Sequence, residues 1–168
     1  AAEAALATDD EELYIGIVNY DVNSANGQQR ELGFRQTVEQ DPRVKNITTI
    51  NVLSTTEDAR AGAKEMLLSD SRINVVVTFN EWTSLGVGWA SRDLNRADRI
   101  QVVAFDSNVV SVGMLETGEV DALIVQNPYA MGYLGVETAA NLKNGQSGGP
   151  SVVDKDTTIV ARENMYDP

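Results

Sequence analysis

Three apolar runs of this sequence each end on a polar side chain that could hold a small ligand. The runs and the residues that follow them are Asn74–Phe79 with Asn80, Ile100–Phe105 with Asp106, and Asp121–Val125 with Gln126. Two amides and a carboxylate can together donate hydrogen bonds to hydroxyl groups and accept hydrogen bonds from them. The three residues therefore predict a binding site for a small polar molecule, without obvious reactive chemistry.

The elements around these residues predict where they meet. Helix-like segments follow all three runs, so the runs are predicted to be neighbouring parallel strands of an α/β sheet. Ligands of such sheets bind at the carboxyl ends of the strands, near the point where the strand order reverses. The predicted fold is a three-layer α/β domain with a mainly parallel sheet and helices on both faces.

Two of the three residues also have a structural interpretation. Asparagine is a favoured helix N-cap, and Asp106-Ser107-Asn108 has the composition of a capping turn, so both interpretations of Asn80 and Asp106 stay open. Gln126 is more informative, because glutamine is a poor cap and a poor strand residue. Since Asn127-Pro128 follows it, the Gln126 side chain is predicted to point at something.

An arginine and two aromatic residues are further candidates near the strand ends. Arg30 lies in the first turns of a predicted helix, after a polar loop that begins at Asp21. Its guanidinium either forms a surface ion pair or grips ligand oxygens as a fork. Tyr20 and Trp82 lie next to strand ends, where an aromatic ring either covers the C–H face of a ligand or belongs to the core.

Composition limits the class of protein. The chain has 168 residues, of which 42% are hydrophobic, which is enough for one domain with a real core. Its net charge of −12 argues against nucleic acid as a partner and against electrostatic attachment to anionic membranes. The same charge suits a protein that meets neutral or cationic small molecules.

Reactive residue types are scarce. The sequence contains no histidine, the commonest general base and metal ligand, and no cysteine for disulfides, thiolate catalysis or metal binding. The acidic clusters at 9–12 and 57–58 lack the spacing of a calcium loop and are interpreted as solvated helix ends. We therefore expect no catalytic residue, no metal ion and no cofactor.

The start of the chain is unusual. Ala1–Ala7 is rich in alanine, carries a glutamate and lacks a basic region, so it is not expected to be a signal peptide. It looks like the back half of a helix, which makes the chain a candidate fragment. No run of eighteen apolar residues occurs, so no membrane-spanning segment is expected.

Strand and helix signals alternate along the whole chain. Besides the three runs above, the predicted strands are Leu13–Asn19, Ile47–Leu53 and Thr157–Arg162. The predicted helices are Gln28–Gln40, Thr56–Ser69, Glu81–Leu94, Asn108–Leu115 and Pro128–Lys143. Gly118 is predicted to end the fourth helix as a left-handed cap, and Gln146–Ser151 is predicted to be a flexible linker.

Five segments carry a family resemblance. They are Arg30–Phe34, Phe79–Gly86, Val102–Asp106, Gly118–Ala122 and Gln126–Gly132. Taken together and in this order, they resemble the type I periplasmic sugar-binding proteins, the ribose- and galactose-binding components of ABC importers. The resemblance covers essentially the whole chain, and its specificity comes from the combination.

The resemblance implies roles for particular residues. The residues that match the sugar ligands of the family are Arg30, Asn80, Asp106 and Gln126. Family members often place an aromatic residue near Thr55, where this chain has Ser54-Thr55 instead. The neighbouring candidates for ligand contacts are Tyr20, Asp21, Thr55 and Trp82.

The resemblance also implies a division of the chain. Family members have two α/β lobes joined by a three-strand hinge, with the sugar between them. This chain resembles the C-terminal half, so residues 1–127 are expected to form one ligand-binding lobe. Residues 128–145 are then a crossover helix that belongs to the other lobe, and residues 146–168 are a linker, a last strand and a tail.

The implied function is that of the solute-binding component of an ABC-type sugar importer, without catalysis. It implies an extracytoplasmic location, in the periplasm or as a cell-surface lipoprotein of a bacterium. The implied partners are a sugar, the transporter permease, and a missing N-terminal lobe or a second copy of this chain, with no nucleic acid. The alternative is the effector domain of a sugar-responsive repressor or sensor of the same fold, and an enzyme is third.

The helix Pro128–Lys143 has an apolar face that needs a partner. Its members are Met131, Leu134, Val136, Ala139 and Leu142. Burying one aliphatic side chain is worth about 1.5–3 kcal/mol, so we expect this helix to dock. The expected positions are across the carboxyl-end cleft, against a second copy, or on an N-terminal fragment.

Overall fold

The alternating α/β pattern of the sequence is confirmed by a computed structural model, which describes residues 1–150, 153 and 156–166. The strands are β1 (Leu13–Tyr20), β2 (Val44–Val52), β3 (Val75–Thr78), β4 (Gln101–Phe105), β5 (Ala122–Val125) and β6 (Thr158–Ala161). The helices are α1 (Ala2–Leu6), α2 (Ala25–Val38), α3 (Thr56–Ser69), α4 (Glu81–Asp93), α5 (Val109–Thr117) and α6 (Pro128–Lys143).

The six strands form one sheet in the order β2-β1-β3-β4-β5-β6. The first five strands are parallel, and β6 pairs with β5 in the antiparallel direction. The strand order reverses between β1 and β3, because β2 lies on one side of β1 and all later strands lie on the other. Loops that leave the carboxyl ends of the parallel strands therefore meet along one edge of the sheet.

Two hydrophobic clusters cover the two faces of the sheet. Alternating strand residues divide between them: Val75 and Val77 join the cluster of α1 and α2, while Val76 joins that of α3, α4 and α5. Helix α3 turns one face towards the sheet, and the four residues of that face are buried; they are Ala59, Ala63, Met66 and Leu67. The three-layer prediction holds on both faces.

Some predicted boundaries move by a few residues. Helix α2 begins at Ala25 rather than Gln28, because Ser24 caps it and accepts a hydrogen bond from the Gly27 amide at 3.3 Å. Strand β2 begins at Val44 rather than Ile47, because its pairing with β1 reaches back to Leu13. Strand β6 is shorter than predicted, and the predicted end of the linker at Ser151 lies outside the described residues.

Helix caps agree closely with the sequence. Gly118 ends α5 with a φ of 87°, in the left-handed region predicted for it. Helix α6 begins at Pro128 and ends at Lys143, as predicted, with Asn127 accepting a hydrogen bond from the Ala130 amide at 2.9 Å. Helix α3 likewise runs from Thr56 to Ser69 behind the cap Thr55.

Helix α6 docks on no other part of the described chain. None of its residues is buried, and Met131 and Val136 remain 46% and 72% exposed. The expected position across the carboxyl-end cleft is therefore wrong for the single chain. Both faces of the sheet are already covered by other helices. Among the described residues, no helix has both the length and the apolarity to cross a bilayer.

Candidate functional site

The predicted site residues lie along the carboxyl edge of the sheet. Asn80 follows β3, Asp106 follows β4 and Gln126 follows β5, and these three strands are adjacent. Tyr20 ends β1, which is the neighbour of β3 on the other side. The edge thus presents these side chains in the order Tyr20, Asn80, Asp106 and Gln126, because β1, β3, β4 and β5 lie side by side.

Arg30 connects three of these strands from helix α2. Its Nη1 donates a hydrogen bond to the carbonyl oxygen of Phe79 in the β3 end at 2.5 Å. The guanidinium carbon lies 4.7 Å from the centroid of the Phe105 ring at the end of β4. Its Nη2 donates to Gln126 Oε1 beyond β5 at 3.1 Å. One planar cation therefore spans the carboxyl ends of β3, β4 and β5.

Gln126 links this arginine to Asp106. While Gln126 Oε1 accepts from Arg30, its Nε2 donates to Asp106 Oδ1. The structure thereby joins Arg30, Gln126 and Asp106 into one chain of side-chain hydrogen bonds, which we call the tip network.

Residues other than Asp106 and Gln126 cap the helices next to the tip network. Asn108, and not Asp106, caps helix α5, with its Oδ1 accepting from the amides of Val110 and Ser111 at 2.8 and 2.9 Å. Asn127 caps helix α6. Asp106 itself has a φ of 63°, a left-handed conformation that aspartate tolerates better than most residues. The side chains of Asp106 and Gln126 are left for the network.

Asn80 is a helix N-cap, which is the structural role that the sequence left open for it. Its Oδ1 accepts hydrogen bonds from the Thr83 amide at 2.9 Å and the Thr83 hydroxyl at 2.8 Å, which makes a capping box at the start of α4. Its Nδ2 donates to Ser54 Oγ at 3.0 Å, so it also bridges to the loop after β2. Asn80 lies next to the tip network, since Arg30 bonds the carbonyl of the preceding residue.

The other four candidates make no hydrogen bond to the tip network among the described contacts. Thr55 caps α3 by accepting from the Asp58 amide at 3.2 Å, and Asp21 closes a turn by accepting from the Asn23 amide at 3.0 Å. Trp82 stands in the first turn of α4 with 48% of its surface exposed. Tyr20 is half-buried at the end of β1. The structure joins Arg30, Asp106 and Gln126 by hydrogen bonds. We call the other four the rim residues, since they lie at or just after the ends of β1 and β2 and at the start of α4.

Three phenylalanines form the floor of the tip network. Phe79 packs edge-on against Phe34 and against Phe105, with ring centroids 6.0 Å apart in both pairs. All three belong to the cluster on the α1 and α2 face of the sheet. A guanidinium held on such a floor is shielded from water on one side, which strengthens its hydrogen bonds on the other.

A second polar network anchors helix α2, which carries Arg30. Buried Asn19 donates from Nδ2 to Glu31 Oε2 at 2.9 Å and to the Gly27 carbonyl at 3.2 Å. Burial favours a higher pKa for the Glu31 carboxyl, but hydrogen bonds from Asn19, Thr49 and Arg35 outweigh it and hold that pKa below its usual value. Glu31 is therefore ionised at neutral pH and fixes the first turns of α2 against β1 and β2.

The arrangement can bind but offers no activated nucleophile. A ligand hydroxyl that enters between Arg30 and Asp106 can accept from the guanidinium and donate to the carboxylate. Within residues 1–150, 153 and 156–166, no group of three or more acidic side chains has the geometry to hold a metal ion.

Two contributors to the site are not predicted from the sequence. Phe105 and Ser54 are predicted only as parts of a strand and a loop, without a role at the site. The alternation of strand residues could have identified Phe105, since Phe105 shares a face with Val103 and so points towards α2. No sequence signal marks Ser54, because its partner Asn80 comes from another element of the fold.

Comparison with known families and structures adds an independent line of information. The sequence matches the model of a family described as periplasmic binding protein domain, over residues 1–147. No protein of curated function matches the sequence.

Several solved structures share the fold over nearly the whole chain. A carbohydrate transporter solute-binding protein from Agrobacterium radiobacter, in complex with D-arabinose, is 27% identical with a TM-score of 0.92, covering 99% of this chain and 58% of that one. The periplasmic component of an ABC-type sugar transport system from Hahella chejuensis is 28% identical with a TM-score of 0.89, covering 96% and 59%.

An ABC transporter solute-binding protein from Agrobacterium vitis, bound with α-D-tagatopyranose, shows the same fold at 24% identity and a TM-score of 0.93. The alignment covers 99% of this chain and 56% of that protein. The chain thus spans less than two thirds of the length of each of these three relatives.

Proposed function

This chain belongs to the periplasmic binding protein domain family, and from that premise we propose that it forms one lobe of the solute-binding component of an ABC-type sugar importer. Its ligand is a monosaccharide or a similar small polyol. The sugar lies on the carboxyl edge of the sheet and is enclosed when a second lobe closes over it.

The observation that carries this proposal is the tip network. Arg30, Gln126 and Asp106 place a cation, an amide and a carboxylate in one hydrogen-bonded row above an aromatic floor. Such a row can satisfy the paired donors and acceptors of neighbouring sugar hydroxyls. The relative with 27% identity was crystallised with D-arabinose, which is a ligand of this chemical class.

The eight predicted residues divide into two groups in this proposal. Arg30, Asp106 and Gln126 hydrogen-bond the sugar directly, and Asn80 adds its amide from the end of β3. The rim residues supply the remaining contacts; they are Tyr20, Asp21, Thr55 and Trp82. Trp82 is the rim residue best suited to cover the C–H face of a sugar ring, because nearly half of its surface is free.

Helix α6 belongs to the second lobe in this proposal. Residues 1–127 form the ligand-binding lobe, residues 128–145 cross to the other lobe, and residues 146–168 return as a linker, the strand β6 and a tail. Support comes from the groove on α6, which is lined by Tyr129, Tyr133, Val136 and Ala140 and is open in the single chain. The relatives are longer than this chain by an amount that suits a second lobe.

The remaining parts of the proposal concern the cellular setting. The protein binds without catalysis, because the edge of the sheet offers hydrogen bonds and no histidine or cysteine. It delivers the sugar to a transporter permease and acts outside the cytoplasm. The family model, whose description is periplasmic, supports that location.

Calorimetric titration of D-arabinose and a panel of pentoses and hexoses into the product of the complete gene tests the proposal. The decisive variant is Arg30→Ala, which removes three contacts at the strand ends. Its matched control is Arg72→Ala. The guanidinium carbon of Arg72 also lies 4.7 Å from the centroid of an aromatic ring, that of Tyr14 near the start of β1.

We expect Arg30→Ala to weaken binding of the recognised sugar about 10- to 100-fold, the usual cost of hydrogen bonds to a charged group. Arg72→Ala should leave affinity within about twofold. If no sugar of the panel binds, the proposed function is wrong. Turnover of a sugar that depends on one carboxylate would replace it with an enzymatic function.

A further inference from the structure

A single buried hydroxyl connects the ends of β3 and β4. Ser84 lies in the first turn of α4 and is 1% exposed. Its Oγ accepts a hydrogen bond from the Phe105 amide at 2.9 Å and lies 2.8 Å from Thr78 Oγ1. The Ser84 hydroxyl proton is within reach of the carbonyl oxygens of Asn80, at 2.7 Å, and Phe105, at 3.0 Å.

The Ser84 hydroxyl bonds to β4 just beyond the point where the backbone pairing of β3 with β4 ends. The pairing between β3 and β4 ends at Val77 and Val103, so Phe105 has no ladder partner on β3. A buried amide without a partner costs free energy, and Ser84 supplies the missing acceptor. The spacing between the two strand ends is therefore set by a side chain of α4 and not by the sheet itself.

The residues held by Ser84 are those that position the tip network. Phe105 carries the ring beneath the Arg30 guanidinium and directly precedes Asp106. Asn80, whose carbonyl Ser84 also reaches, is the residue after Phe79, which accepts from Arg30. A shift of Phe105 relative to Asn80 would move the Arg30 platform and the Asp106 carboxylate together.

We propose that Ser84 is a positioning residue for sugar binding, which fixes Asp106 and the Arg30 platform at the separation from Asn80 that the ligand requires. It touches no ligand itself, because it is buried beneath the strand ends. The inference rests on the proposed function and extends it to a residue without direct contact to the sugar.

The same helix provides a matched control. Ser91 lies seven residues after Ser84, two helical turns along the same face of α4, and is fully buried. Its Oγ has no hydrogen-bond partner among the described residues. Ser91→Ala therefore removes an equally buried hydroxyl from the same helix without touching either strand end.

The experiment measures amide hydrogen exchange and sugar affinity on the product of the complete gene. In Ser84→Ala, we expect the Phe105 amide to exchange about tenfold faster and the recognised sugar to bind about tenfold more weakly. Ser84→Cys, which keeps the volume but offers a weakly bonding thiol, should change both quantities in the same direction. Ser91→Ala should change neither.

A double-mutant cycle separates positioning from general destabilisation. If Ser84 acts through Asp106, the combined loss of affinity in Ser84→Ala/Asp106→Ala will be smaller than the product of the two single losses. Independent, multiplicative losses would overturn the proposal. So would unchanged exchange at Phe105, or unchanged affinity in Ser84→Ala when the parent protein binds sugar. Absence of sugar binding in the parent protein would instead defeat the proposed function.

Discussion

Helices α4 and α6 start in the same way and end in opposite environments. Each follows a strand of the parallel sheet and is capped by an asparagine, Asn80 or Asn127. Helix α4 has 13 residues and buries eight of them, whereas α6 has 16 residues and buries none. Local signals therefore specify both helices, but they do not specify burial.

Glycine contacts show the same contrast at atomic scale. A Cβ added to Gly86 of α4 would lie 2.5 Å from Ala59 Cβ and 2.7 Å from the Arg60 nitrogen of α3. A Cβ added to Gly132 or Gly135 of α6 would meet nothing within 4 Å. Small residues let α4 approach α3 closely, while those of α6 shape a groove that no described residue fills. Under the proposed function, the second lobe would cover this groove.

The largest expected effect comes from truncating a leucine of α4, and the same truncation on α6 is the comparison. Leu85→Ala on α4 should lower the free energy of unfolding of this chain by about 2–5 kcal/mol, because Leu85 is part of the core beside α3. Leu142→Ala on α6 should change it by less than about 0.5 kcal/mol, because Leu142 is exposed. Urea denaturation measures both, and equal losses would remove the contrast between the helices.

A methyl group added to a glycine should give effects of opposite sign. Gly86→Ala should destabilise the chain by about 1–3 kcal/mol, since the backbone of α3 cannot move away freely. Gly135→Ala should stabilise helix α6 by about 0.5–1 kcal/mol, because alanine is the better helix former and has free space. Thermal denaturation and helicity from circular dichroism report the two results. A tolerated Gly86→Ala would contradict the close approach of α3 and α4.

Removing the N-cap of α4 should lower the stability of the whole lobe, whereas removing the N-cap of α6 should affect that helix alone. Asn80→Ala removes the capping box and the bond to Ser54, so we expect a loss of about 0.5–2 kcal/mol in the free energy of unfolding. Asn127→Ala should reduce the helicity of α6 and leave the main unfolding transition in place, because α6 is not docked. A lowered main transition in Asn127→Ala would mean that α6 packs on this lobe after all.

The smallest expected effect depends on pH at the end of α4. Arg60 and Lys64 of α3 bond to Asp93 and lower its pKa from 3.8 to about 2. A lowered folded-state pKa contributes stability that is present above the unfolded value and is lost as pH falls towards 2. Asp93→Asn should therefore be slightly less stable than the parent chain at pH 6, with the difference vanishing near pH 2. A constant difference across this range would contradict the assigned ion pair.

The sequence predicted the elements better than the contacts between them. Pro128 at the start of α6 and Gly118 at the end of α5 mark helix ends that the structure reproduces, because caps act locally. Ser24 is not predicted as the cap of α2, so the predicted helix lacks its first three residues. Asp106 and Gln126 could be placed on one edge of the sheet, because neighbouring parallel strands end together.

The hydrogen bonds that join those residues could not be predicted from the sequence. The bond from Arg30 to Gln126 spans 96 residues, and the hydroxyl of Ser84 reaches a strand 21 residues away. Such contacts depend on the strand order and on the spacing of the layers, which no local pattern encodes. The proposed role of α6 is a similar case, because no local pattern specifies what covers the apolar face of a helix.

The central claim is that the carboxyl edge of this lobe is half of a sugar site and that α6 belongs to the other half. Titration of the same sugars into this chain alone and into the product of the complete gene tests it most directly. We expect the complete product to bind one sugar with a Kd of about 1 μM or tighter, and this chain to bind it at least about a hundredfold more weakly. Equal micromolar affinity in the chain alone, or no binding in the complete product, would contradict the claim.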